Sequence, residues 1–372
     1  MRICEHPLPQ SSSGTRRSWV SLHFGPDDRG RKAYLQAGLH ADEVPGMLVM
    51  HHLRHELARI EAAGGLLGEV VLVPISNPIG LGQRLLHQPI GRFELASSHN
   101  FNRYYPDLTP AVADRVATQL GPDPASNRRA IRQALGEQIA LLPQDTELAA
   151  LRRGLMQLAH DADIVLDLHC DAEAVVHLYT ENPCWPGLEP LARLLGARAV
   201  LLNQQAGGHS FDEACGSPWW RLAEQFSGRF PVPQACLDAT VELRGQADVD
   251  HGLAQQDAGA LLQFLCQAGL IYGPAPDLPP ARCVPTPLAG SEVLKAPCSG
   301  VVVFRRQVGD DIRAGQTVCD IVDPLSAQVT ELKASVDGVL YARTRERHAQ
   351  PGMDLADIAG PTPIRSGWLL SA

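Results

Sequence analysis

Ala37-Gly38-Leu39-His40-Ala41-Asp42-Glu43-Val44-Pro45-Gly46 joins two stretches of different periodicity, and that junction sets the fold class. Ala33 to Gln36, just before it, reads as a strand. From Pro45 to about Ala63, Val49, Leu53, Leu57 and Ile60 recur at helical spacing on one face. Proline suits a first helical turn, where its missing N–H costs no hydrogen bond. A strand, a polar turn and an amphipathic helix in that order form one βα step.

The same alternation continues along the chain. Val70-Val71-Leu72-Val73, Ile164-Val165-Leu166 and Val200-Leu201-Leu202 are continuous apolar runs without the polar alternation of a half-exposed strand. Such runs suit strands covered on both faces by helices. Leu148, Leu151, Leu155 and Leu158 mark a helix immediately before the Ile164 strand. The expectation is an α/β fold with a largely parallel or mixed sheet.

With 372 residues the chain exceeds what one core usually organises, so a large and a small domain are expected. The six prolines at 274, 276, 279, 280, 285 and 287 mark a stiff linker, placed at 273–289. Beyond it an internal repeat appears, with Lys295-Ala296-Pro297-Cys298-Ser299-Gly300-Val301-Val302 matching Lys333-Ala334-Ser335-Val336-Asp337-Gly338-Val339-Leu340 at an offset of 38 residues. Two similar β units of this size suggest a small barrel over 290–372, leaving 1–272 as the larger unit. Biotinyl and lipoyl carriers resemble such a repeat, but they present a modifiable lysine between the two halves. Asp323 to Thr330 contains none.

A formal charge of -9 would repel a phosphate backbone, which sets nucleic acid aside. Nine widely spaced cysteines with no CxxC suggest neither a disulfide framework nor a thiolate zinc site. They read as thiols of a reducing compartment. The N-terminus lacks an apolar signal region and no run approaches the ~20 apolar residues of a bilayer span. A cytoplasmic enzyme without membrane contact is the expectation; the oligomeric state is not legible.

Within the opening junction, His40 and Glu43 stand three residues apart on a strand-to-helix turn. An imidazole and a carboxylate so placed can take one zinc from two sides, with a distant third ligand and water completing it. The same residues also read as a polar loop with an acid at a helix N-terminus. Asp167-Leu168-His169 ends an apolar strand in a polar triplet and offers that third ligand; its other reading is a histidine capping a buried strand. His40, Asn77, His169 and Glu242 all fall near carboxyl ends of strands, where open α/β sheets place ligands. His51 and His55, at metal-pair spacing, lie opposite the apolar stripe and read as a solvated face. Trp219-Trp220 reads as packing, and Cys170 as a bystander.

The chain resembles the succinylglutamate desuccinylase and aspartoacylase family, relatives of the zinc carboxypeptidases. The resemblance rests on GLHADEVPG (38–46), SNPIG (76–80), GRF (91–93), NFNR (100–103), DLH (167–169) and TVELRG (240–245), in family order, followed by the C-terminal β unit. It implies a zinc carboxypeptidase-like mixed sheet flanked by helices, with a small C-terminal all-β barrel-like domain. It further implies one zinc per chain on His40, Glu43 and His169, and Glu242 as the acid/base residue. Asn102 and Arg103 match the pair that holds a substrate carboxylate. Arg92, with Arg84 as the alternative, matches the arginine that polarises the scissile carbonyl. Many family members carry an aspartate where this chain has Asn100, a residue that orients a zinc-bound histidine. A neutral amide there makes that histidine less basic.

The activity so implied is removal of an acyl group from a small N-acyl amino acid by metal-activated water, cleaving a carbon–nitrogen bond. A metallocarboxypeptidase acting on peptides would use the same residues. A non-catalytic carrier is the remaining reading.

Overall fold

A computed structural model describes residues 1–26, 30–204 and 206–370. Strands β1 (Arg2–Pro7) and β2 (Ser18–Phe24) form an antiparallel pair. β3 (Lys32–Ala37) then leads through the His40 turn into helix α1 (Pro45–Ala62), and β4 (Glu69–Val73) follows. Helices α2 (Pro124–Ala140) and α3 (Glu147–Ala159) precede β5 (Ile164–Asp171). Next come β6 (His177–Glu181), α4 (Trp185–Leu195), β7 (Ala199–Asn203), α5 (Phe211–Gln225), β8 (Leu237–Gly245) and α6 (His251–Gln267). Thr286–Pro287 forms β9, so the end of the Pro-rich segment joins the sheet as an edge strand.

The main sheet has nine strands in the order β1-β2-β4-β3-β5-β8-β6-β7-β9. Pairing is parallel from β4 to β8 and from β6 to β9, and antiparallel across β1-β2-β4 and β8-β6. This is the mixed α/β sheet that the apolar runs predict. Side-chain alternation sorts the two faces. Leu35, Leu72, Leu166, Leu168 and Val241 pack with α1, α4 and α6. Tyr34, Val71 and Val165 pack with α2, α3 and α5 on the opposite face. In α1, Val49, Leu53 and Leu57 are buried while His51 and His55 are exposed, as the helical stripe requires.

The repeat forms two antiparallel sheets. β10 (Ser291–Lys295), β14 (Gly338–Arg343) and β15 (Asp354–Ala359) belong to one, and β11 (Gly300–Phe304), β12 (Thr317–Val322) and β13 (Val329–Lys333) to the other. The matched positions Ala296 and Ala334, and Val302 and Leu340, are buried in the one core between the sheets. The hairpin joining β12 to β13 exposes Leu325 at its tip and carries no lysine.

This β unit is not tethered loosely. Glu173–Ala174, just after β5, pairs with β14, and the Leu369 N–H donates to the Ala206 carbonyl at 2.8 Å. Ala174, Leu201, Ala206, Leu288, Tyr341 and Ala342 share a small apolar core across the junction. Among the described residues no helix is long and apolar enough to cross a membrane.

Leu166 lies fully buried in the central strand β5. Leu166→Ala should cost roughly 2–5 kcal/mol through lost transfer energy and a residual cavity, read from the urea unfolding transition. An unshifted transition would mean that the sheet does not carry the stability assigned to it.

Candidate active site

The polar turn after β3 is held in place before any side-chain chemistry begins. Ser76 Oγ donates to the Ala37 carbonyl, and Asn77 Nδ2 donates to the Leu39 carbonyl. Asn77 is thus a brace for the turn. Two glycines permit the close approaches. A Cβ on Gly46 would lie 3.1 Å from the Leu168 carbonyl oxygen, so its absence lets the start of α1 press against β5. A Cβ on Gly91 would lie 2.2 Å from the Asp42 nitrogen, so the segment carrying Arg92 can pack against the turn. The Ala41 N–H donates to the Gly91 carbonyl at 3.0 Å and fixes that contact.

His40, Glu43 and His169 consequently meet, at 3%, 5% and 3% exposure. Their ligand-capable atoms lie within 4.8 Å of one another, a grouping able to hold a metal ion. Glu43 Oε1 is 2.9 Å from His40 Nδ1, and Oε2 is 2.8 Å from His169 Nδ1. The Cys170 backbone N–H also donates to Oε2. The far edges of both rings are held from behind. His40 Nε2 donates to Asn100 Oδ1 at 2.8 Å, and His169 Nε2 lies 3.0 Å from Asp167 Oδ2. Both imidazoles therefore present Nδ1 to the centre and Nε2 to Asn100 or Asp167, the outer-shell arrangement typical of metal-binding histidines.

Burial, and then the Arg92 guanidinium, push His40 down to about 4. Its ring is neutral at pH 7 and its Nδ1 lone pair is available. Burial works against a charged His169, but Asp167 and Glu43 outweigh it and hold the imidazole well above its ordinary range. Burial would likewise raise Glu43, yet His40 and His169 hold it well below the usual carboxylate range. The donor set of imidazole nitrogens and one carboxylate suits a borderline divalent cation such as zinc.

Arg92 Nη1 stands 3.2 Å from His40 Nδ1 and 3.4 Å from Glu43 Oε1, so its guanidinium faces the same centre. Arg84 lies exposed in the hairpin Arg84–Leu85/Gln88–Pro89, away from the cavity wall. Glu242 sits opposite His169 in the β5–β8 register, and its Oε2 has no hydrogen-bond partner among the described residues. Burial first, and the charge of Glu43 second, push its carboxyl well above the usual range. Asn102 Oδ1 accepts from the Phe211 N–H that opens α5, while Nδ2 reaches to 3.4 Å from His169 Nε2. Arg103 donates to the Asn102 carbonyl and lines the cavity.

These groups line one cavity of about 800 Å³ whose outer wall comes from the β unit and the last residues described, including Tyr341, Arg343, Asp357, Arg365 and Trp368. Sequence reasoning assigned no role to Asp167, although the i, i+2 spacing of Asp167 and His169 puts both on one strand face. It also missed Glu181, Asp212 and Asp238, which lie in separate segments and converge only in the fold. Trp219 is core, Trp220 donates to Glu181, and burial pushes the Cys170 thiol up, far from a reactive thiolate.

His169→Ala should abolish stoichiometric binding of a divalent cation, and Asn100→Asp should tighten it by roughly tenfold by making His40 more basic. Titration calorimetry with zinc checks both. Unchanged binding in both variants would put the cation elsewhere.

The sequence profile of the succinylglutamate desuccinylase/aspartoacylase catalytic domain matches residues 29–267. Among curated proteins none matches the sequence. The fold is similar to that of a Shewanella amazonensis SB2B protein given the same family name, with 27% identity over 96% of this chain and 98% of the other, at a TM-score of 0.83. A Shewanella frigidimarina NCIMB 400 structure with that name is 25% identical over 96% of this chain and 97% of the other, at a TM-score of 0.84. The product-bound ectoine utilization protein EutE (DoeB) from Ruegeria pomeroyi shares the fold at 16% identity, 96% and 95% coverage and a TM-score of 0.65. The cavity with its metal-capable floor therefore sits in a chain that belongs to the succinylglutamate desuccinylase/aspartoacylase family, a family of hydrolases.

Proposed function

We propose that the protein is a zinc-dependent amidohydrolase that removes the acyl group from a small N-acyl amino acid or related compound. One observation carries the reading: two imidazole Nδ1 atoms and the Glu43 carboxylate converge, beside Arg92 and an unpartnered Glu242 oxygen, on one cavity wall. His40, Glu43 and His169 would hold one zinc per chain. A zinc ion bound there supplies Lewis acidity, bringing the pKa of water towards ~7 and polarising a carbonyl.

The chain's own residues account for the rest. Glu242 takes the proton of the attacking water and delivers it to the departing nitrogen, since an amine leaves poorly as an anion. Its raised pKa suits that return of the proton. Arg92 faces the position where negative charge develops on the carbonyl oxygen. Arg103, with the Asn102 amide, anchors the substrate carboxylate; a guanidinium can grip a carboxylate through two parallel hydrogen bonds. The products are a carboxylate and a free amino compound.

We further take 1–272 as the catalytic unit, 273–289 as the linker and 290–372 as a β unit that restricts substrate size. The wall formed by Tyr341, Arg343 and Trp368 supports this, since an extended peptide would collide with it. That favours a deacylase over a metallocarboxypeptidase.

Glu242→Gln keeps the shape and removes the base. Zinc content should stay at one per chain while turnover of N-acyl amino acids falls at least ~100-fold. Near-normal turnover in the zinc-loaded variant would remove Glu242 from the chemistry. The intact enzyme should also cleave N-acyl amino acids faster than acylated di-, tri- and tetrapeptides, in falling order. Efficient cleavage of the tetrapeptide would sink the size restriction and favour the carboxypeptidase reading.

A further inference from the structure

Along β8, Asp238, Thr240 and Glu242 alternate with the core residues Ala239, Val241 and Leu243, so their side chains share the face that lines the cavity. At about 3.3 Å per residue, Asp238 lies roughly 13 Å down the strand from Glu242. Beside it, β6 contributes Glu181, because Ala239 pairs with Thr180 in the antiparallel register. From α5 come Asp212 and Glu213, and Arg103 completes this inner part of the lining.

These carboxylates are not equivalent. Asp212 is fully engaged, accepting from the Ser210 and Thr240 hydroxyls, and Glu213 accepts from the Ala206 N–H. Glu181 and Asp238 are different. Glu181 Oε1 accepts from the Trp220 indole at 2.8 Å and Asp238 Oδ1 from the Cys184 thiol at 3.0 Å. Their second oxygens, Glu181 Oε2 and Asp238 Oδ2, are buried with no partner among the described residues, at 1% and 0% residue exposure. An unpartnered buried carboxylate oxygen is costly, and two side by side need an explanation. The chain has also made room for the Asp238 carboxylate. A Cβ on Gly216 of α5 would lie 1.7 Å from Asp238 Oδ1.

We propose that Glu181 and Asp238 form a cation-recognition subsite at the inner end of the active-site cavity, which takes the ammonium or guanidinium group of a basic substrate side chain. The inference rests on the amidohydrolase reading. With the substrate carboxylate at Arg103, a side chain of lysine length leads inward, and its terminal N–H groups would satisfy both orphaned oxygens. Burial first, and Asp238 second, push the Glu181 carboxyl up to about 11. An organic cation between the two carboxyls opposes that shift and favours their charged forms. A metal ion fits less well, because the Cys184 thiol donates its hydrogen to Asp238 and burial pushes its pKa far up.

The test uses the zinc-loaded full chain and two readouts. Hydrolysis of Nα-acetyl-lysine, Nα-acetyl-norleucine and N-acetylglutamate separates charge from length. The lysine substrate should exceed norleucine at least ~10-fold in kcat/KM, with glutamate slowest. Glu181→Gln and Asp238→Asn should each collapse the lysine-to-norleucine ratio, with the melting temperature checked for folding. Calorimetric binding of free L-lysine, L-norleucine and L-glutamate reads the subsite without turnover. If no N-acyl amino acid is cleaved yet lysine binds in a Glu181-dependent way, the amidohydrolase reading fails and the subsite stands. A wild-type preference for norleucine or glutamate, an unchanged ratio in both variants, or a second zinc equivalent lost in Glu181→Gln would overturn the subsite.

Discussion

The Glu43 carboxylate is the junction on which the site depends. Its two oxygens lie 2.9 Å from His40 Nδ1 and 2.8 Å from His169 Nδ1, and it accepts from the Cys170 backbone N–H, so it ties the turn after β3 to the end of β5. Those elements are neighbours in the sheet, and their separation in sequence, from residue 43 to 169, is closed by parallel pairing between Ala33–Ala37 and Ile164–Leu168. A buried carboxylate between two imidazoles is tolerable only while the pattern of protons and charges around it is complete. Asn100 and Asp167 complete it by fixing the outer edge of each ring. Removing any one of these groups leaves a buried polar atom without its counterpart.

That junction also explains the glycines and the bracing amides nearby. Gly46 and Gly91 bring α1 and the Arg92 segment closer than a side chain would allow, and Ser76 and Asn77 pin the turn's carbonyls. The result is a rigid floor made by strand ends, over which the C-terminal β unit forms the opposite wall. Electrostatic interactions among the buried groups of this floor are stronger than they would be in water, because the local dielectric is lower. Glu242, whose carboxyl burial pushes well above the usual range, stands under those conditions.

Much of this was legible in the sequence because local rules and short motifs carried it. The apolar runs around Val71, Val165 and Leu201 announced strands covered on both faces, and the Val49/Leu53/Leu57 stripe announced α1. His40 and Glu43, three residues apart, could be paired by inspection; His169 was offered by its place at the carboxyl end of an apolar strand, and the ordered set of motifs joined it to them. The inner acidic subsite was not legible, for a physical reason. Glu181, Asp212 and Asp238 come from β6, α5 and β8, and only the antiparallel β8–β6 pairing and the packing of α5 bring them together. No spacing rule encodes that meeting. The strand pairing that docks the β unit was equally hidden, since Glu173–Ala174 pairs with a strand more than a hundred residues later.

The orientation of the imidazoles is the most demanding feature of the proposed centre, because it commits both histidines to the same ring nitrogen. Anomalous diffraction at the zinc edge from zinc-loaded crystals reads it directly. The expected result is one ion at about 2.0–2.2 Å from Nδ1 of His40, Nδ1 of His169 and a carboxylate oxygen of Glu43, with the Asn100 and Asp167 contacts to Nε2 intact. An ion held through Nε2 of either ring, or one found instead among Glu181, Cys184 and Asp238, would contradict the assignment.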